Sequence, residues 1–274
     1  MRRLAFLLSA AFLAGCIKIP GAVDEDHLAR LQIANSEGFP GLDSSASEKT
    51  SLHFEVHAYG GDKAAQIANL AETAFQRITV DTGLASYKPL GGLIELVIYG
   101  SALEYHKKTG QPDWSEGVTL GKSIYSYEGG QLDGLLSHEL TPLIFYDYIG
   151  HINMDHRWVC EGLAVYEESK AGQPASGGVA PPMPRWPFGW QPVSMDFIIH
   201  MAPASDRDRA TSAWHLQAES MVRFMIERGG NIGFGQFLGD LRQDTAFDKA
   251  VADAFPGIWQ NLTDFYNSWA AAQQ

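Results

Sequence analysis

Thiols and basic residues are scarce in this chain, and long apolar runs stop early. Cys16 and Cys160 are its two cysteines, too few for a disulfide-stapled scaffold. Lys and Arg number 20 against 32 Asp and Glu, for a net charge of −12 with His neutral. Nucleic-acid binding needs clustered cations, so that function class is excluded. Beyond the N-terminal stretch no segment offers eighteen uninterrupted apolar residues, and no later span of a bilayer is expected. Internal repeats and long low-complexity tracts are also missing. What remains is a hydrophobic fraction of 45%, enough for one large domain or two closely packed lobes.

The N-terminus reads as an export signal. Arg2 and Arg3 give a positive start, and residues 4–13 are apolar apart from one Ser. That length suits a signal h-region and is too short to cross a membrane. The run Leu13-Ala14-Gly15-Cys16 resembles the lipobox of bacterial lipoproteins. The resemblance implies cleavage before Cys16, acylation of that cysteine, and attachment to a bacterial membrane in the cell envelope. Buried acyl CH₂ groups would supply the affinity. Loss of residues 1–15 would leave 18 Lys and Arg against 32 Asp and Glu. So acidic a surface is repelled by anionic headgroups, and lipid rather than charge must hold it. With Cys16 lipidated, Cys160 has no partner in the chain and is expected as a buried, small apolar residue.

Residues 16–50 are rich in Gly, Pro, Ser and Asp and read as a lipidated tether, with a short helical turn at 26–33. A folded domain is expected over 51–272, divided into a sheet lobe (about 51–130) and a helical lobe (about 131–272). Alternation marks a strand at 52–58, a second lies at 93–99, and a third at 123–127. Between them a helix is expected at 62–82, with Ile67, Leu70, Ala74 and Ile78 on one face. Ser101 and Glu104 form a candidate capping box for a helix ending near Gly110. Helices are expected at 131–149, 157–170, 193–201, 208–228, 232–241, 244–254 and 257–271. A Pro- and Gly-rich loop at 171–192 carries Met183, Trp186, Phe188 and Trp190 and reads either as a binding lid or as ordinary cover. The fold class is α+β, a small mixed sheet followed by helices. His53 and His57 fall on one strand face with Glu55 between them, which reads as an exposed face rather than a metal pair.

Two runs carry chemistry: His138-Glu139-Leu140-Thr141, and Trp158-Val159-Cys160-Glu161-Gly162-Leu163-Ala164. Together they resemble the gluzincin metallopeptidases, in particular the peptidase MA-like group. That family writes H-E-x-x-H on one helix and a Glu within W-x-x-E-G-x-A on the next. His215 to Met225 resembles a later helix of the group, so the likeness covers about 50–270. It implies a gluzincin-like fold and a zinc ion held by His138 and Glu161. Histidines four apart share a helix face, and a carboxylate completes three protein ligands with one position left for water. Glu139 would be the general base and His215 a donor to the oxyanion.

Pro142 stands where the family has its second histidine. Proline cannot ligate zinc, cannot donate to the carbonyl of His138, and costs about 3 kcal/mol inside a helix. A bend in that helix is therefore expected. His138 and Glu161 alone fall short of the usual three ligands. His215, placed where the family has Tyr, is either an oxyanion donor or a replacement ligand. His151 and His156 are weaker substitutes, and His200 reads as a helix-surface residue. His138 and Glu139 also fit an ordinary, partly buried helix, and Glu161 near a helix start is favoured by the dipole without any metal. The preferred reading is a membrane-tethered lipoprotein whose peptidase site is degenerate and which acts by binding a peptide or protein. The alternative is an active zinc peptidase with an altered ligand set, and a third is a structural lipoprotein without a functional cleft.

Overall fold

The computed structural model describes residues 38–172, 191–200 and 213–273. The expectations at Cys16, residues 1–15, the turn at 26–33 and the aromatic loop 183–190 lie outside the described residues. The fold is α+β. In chain order come β1 (Ala46–Thr50), β2 (Phe54–Tyr59), α1 (Gly61–Asp81), β3 (Ile94–Tyr99), α2 (Ala102–Thr109), β4 (Gly117–Leu120) and β5 (Ser123–Tyr127). Helices follow: α3 (Leu132–Ile149), α4 (Arg157–Ser169) after a 3-10 turn (Met154–His156), α5 (Met195–His200), α6 (Ala213–Arg242), α7 (Phe247–Ala254) and α8 (Leu262–Ala272).

The strands form one mixed sheet in the order β1-β2-β3-β5-β4. The inner pairs β2–β3 and β3–β5 are parallel, and each edge strand is antiparallel to its neighbour. Phe54, Val56 and Ala58 of β2 and Ile94, Leu96 and Ile98 of β3 face α1 and the first half of α3. Ile67, Ala71, Ala74 and Ile78 return the contact from α1, as helical spacing requires. The opposite face carries Val97, Tyr99 and Tyr125, covered in part by Tyr105 of α2 and by Phe39 and Leu42. A larger core lies among α3, α4, α6, α7 and α8, with Trp158, Phe237, Phe265 and Trp269 fully buried. Helix α3 serves both cores. Leu136, Leu140 and Ile144 pack on the sheet, and Phe145 and Ile149 pack among the helices.

Several boundaries depart from the sequence reading. Ala46–Thr50, given to the tether on composition, is an edge strand, and Tyr99 Oη donates to the Pro40 carbonyl at 2.6 Å. Gly117–Leu120 is an unforeseen second edge strand. His53 does not share a face with His57. It precedes β2, its Nδ1 lies 2.7 Å from Glu72 Oε2 on α1, and its ring stacks on Phe75. Ser101 does cap α2, accepting from the Glu104 amide at 3.3 Å, but Glu104 reaches back to the Gly100 amide instead of closing the box on Ser101. The expected break between residues 228 and 232 falls at Gly230, whose φ of 76° and ψ of 160° are non-helical inside α6.

One buried polar cluster joins the lobes. Arg77 of α1 and Glu167 of α4 are both fully buried, with Nε donating to Oε2 at 3.0 Å. The same guanidinium donates to Ser137 Oγ of α3 at 2.5 Å and to the Glu167 carbonyl at 3.3 Å. Burial, with the nearby Asp81 second, raises the pKa of the Glu167 carboxyl, and Lys170 and Arg77 oppose that rise without cancelling it. Removing one partner of such a pair strands the other in a dry interior. Arg77→Met should therefore cost roughly 3–5 kcal/mol in urea unfolding. A loss below about 1 kcal/mol, the range of an exposed pair, would contradict this role.

Candidate functional site

The site is built where α3 and α4 run side by side. Gly150 ends α3 in the left-handed region, with φ 82° and its amide on the Tyr146 carbonyl. The 3-10 turn, capped by Asn153, then starts α4. Helix α4 lies close to α6 because Gly162 has no side chain: a Cβ there would sit 2.5 Å from the Ala218 carbonyl oxygen. Trp158, Leu163 and Ala164 are buried in the helical core. Much of the W-x-x-E-G-L-A run is thus explained by packing alone.

His138 is 3% exposed, and its Nδ1 lies 2.8 Å from Glu168 Oε2 on α4. A carboxylate only accepts, so the neutral imidazole keeps its proton on Nδ1 and its lone pair on Nε2. Metal-ligating histidines are oriented in this way, so His138 fits a ligand role. Glu139 is also buried, and its Oε2 accepts from Thr119 Oγ1 of the edge strand β4 at 2.7 Å. Glu161 Oε1 lies 3.9 Å from Nε of Arg157, one helical turn earlier and itself only 2% exposed. His215 is buried near the start of α6, its ring against Trp214.

Among the described residues, Glu48, Glu55 and His57 are the one group whose ligand atoms lie within 4.8 Å of one another. His138, Glu161 and His215 are not members of that group. Pro142 lies inside α3, which is helical from Leu132 through Ile149. Its ring lines a cavity of about 150 Å³ with Tyr87, Ile94 and Tyr146.

The remaining histidines are placed as follows. His151 Nε2 lies 2.8 Å from Asp244 Oδ1, and His156 packs its ring against His151 and Phe247. His200 is a half-exposed residue on α5, bonded through Nδ1 to the Asp196 carbonyl. Cys160 is fully buried, and burial pushes its thiol well up, which suits an inert core residue. Sequence reasoning missed Glu168, Arg157 and Thr119. Arg157 stands four residues before Glu161, a spacing that puts both on one helix face. Glu168 and Thr119 leave no such local trace. No protein-family model and no curated protein matches the chain.

Burial, with His151 second, lowers the His156 pKa from 6.5 to about 4. A depressed histidine contributes stability that is complete above pH 6.5 and is lost as pH falls through 4. The expected loss is roughly 2–3 kcal/mol across that window. Chemical unfolding at pH 7 and pH 4 should show it in the parent chain and a smaller loss in His156→Gln. Equal losses in both would contradict the assignment.

Proposed function

We propose that this is a membrane-tethered lipoprotein with a gluzincin-like domain whose peptidase site is degenerate and which now binds extended peptide segments. The observation that carries the reading is Pro142 within α3, where the resembled motif has its second histidine, while among the described residues His138 and Glu161 belong to no group of three close donors. Arg157 reinforces it, because its guanidinium supplies Glu161 with a protein cation. The five-stranded mixed sheet is compatible with a gluzincin-like architecture. The lipobox-like run ending at Cys16 supports attachment to a bacterial membrane through lipid.

Binding is favoured over a purely structural role by the position of β4. The strand ends the sheet, so one of its edges is unpaired among the described residues. Thr119 on this strand is bonded to Glu139, which puts the edge beside the helix that carries the His-Glu pair. An extended peptide can add to such an edge through main-chain hydrogen bonds. Buried carboxylates and an imidazole alongside would select polar side chains on that peptide. No step through zinc is part of this reading.

The test combines turnover with mapping. Full-length protein, given quenched-fluorescent casein and zinc, should hydrolyse no more than the Glu139→Gln variant does. With unlabelled casein peptides present, amide hydrogen exchange should slow at Gly117–Leu120. Hydrolysis abolished by Glu139→Gln would replace this reading with that of an active peptidase. Unchanged exchange along β4 would remove the proposed binding edge.

A further inference from the structure

A second donor set lies on the other side of the sheet, away from the α3–α4 site. Glu48 of β1 is the direct cross-strand partner of His57 on β2. Glu55, two residues before His57, shares its face and is the register partner of Glu95 on β3. His57 Nε2 lies 3.3 Å from Glu55 Oε1 and 3.6 Å from Glu95 Oε1. Two ligands of a tetrahedral zinc at 2.0–2.2 Å are themselves about 3.3–3.6 Å apart. The His57–Glu55 and His57–Glu95 separations are those of two ligands on one ion. Ser123 Oγ on β5 donates to Glu95 Oε2 at 2.5 Å, which leaves Oε1 on the side of His57. Such an outer hydrogen bond is what orients a ligating carboxylate.

The charges also call for a cation. Glu55 and Glu95 stand directly opposite, an arrangement that destabilises adjacent strands when both are ionised. Glu48 brings a third carboxylate to the same patch. Among the described residues no Lys or Arg forms an ion pair with any of the three, and His57 lies 3.3 Å from Glu55 and 3.6 Å from Glu95. From this geometry we infer that His57, Glu48 and Glu55, whose ligand atoms all lie within 4.8 Å of one another, form a surface site for one divalent metal ion, with Glu95 beside His57 as a further carboxylate. One imidazole nitrogen among carboxylate oxygens favours zinc over calcium or magnesium, which take oxygen ligands alone. The sheet supplies the preorganisation, since three adjacent strands fix the four Cα positions through backbone pairing.

The experiment is a zinc titration by calorimetry of the full-length, metal-stripped protein and four variants. The parent should bind one zinc ion per chain. His57→Ala and Glu95→Gln should each weaken that binding by more than about tenfold. His138→Ala and Glu161→Gln should leave it unchanged. These side chains at β2 and β3 are partly exposed, so the variants are expected to fold, and a far-ultraviolet circular dichroism spectrum checks this. Absence of zinc binding in the parent, or affinity indifferent to His57 and Glu95, would overturn the inference while leaving the peptide-binding reading intact. Zinc lost on His138→Ala and kept on His57→Ala would overturn both.

Discussion

The contact between Arg77 and Glu167 is the constraint on which the arrangement of this molecule rests. Arg77 belongs to the helix that covers the sheet, Glu167 to the helix that carries Glu161, and Ser137 stands next to His138. One guanidinium therefore fixes three helices against one another in a dry interior. Hydrophobic packing alone leaves helices free to slide by fractions of a turn, whereas a fork of directed donors does not. The two cores meet at α3, and this pair sets how that helix is shared between them.

Around that lock the polar groups are held by protein. His138 is held by Glu168, Glu139 by Thr119, and Glu161 sits beside Arg157. A catalytic zinc site needs three protein donors converging on one point. Here His138 and Glu139 are bound to partners on other elements, Glu161 lies beside Arg157 of its own helix, and Pro142 stands where the resembled motif has its second histidine. Arg77 faces Glu167 and Arg157 faces Glu161, so these two buried carboxylates are balanced by cations of the chain itself.

Much of the fold was legible because periodicity survives into burial. Helix α1 shows its apolar face in sequence, and β2, β3 and β5 alternate or run apolar as inner strands do. The edge strands hid for opposite reasons. Ala46–Thr50 reads Ala-Ser-Glu-Lys-Thr, polar on both faces because it is largely exposed, and Gly117–Leu120 is too short to show a period. The last helix starts at Leu262 rather than 257, because Asn261 accepts from the Asp264 amide and sets the cap there. His138 and Glu161 could be picked out by motif. The partners of His138 and Glu139 could not, since Glu168 and Thr119 reach the site through tertiary approach. His53 misled for the same reason: the start of β2 turns it onto Glu72 and Phe75.

The central proposal is that His138 and Glu161 hold no catalytic metal between α3 and α4. Anomalous diffraction at the zinc absorption edge, from crystals of the full-length protein grown with zinc, examines it directly. The account predicts no anomalous peak within bonding distance of His138 and Glu161. A peak coordinated by both, completed by any third side chain of the protein, would contradict it.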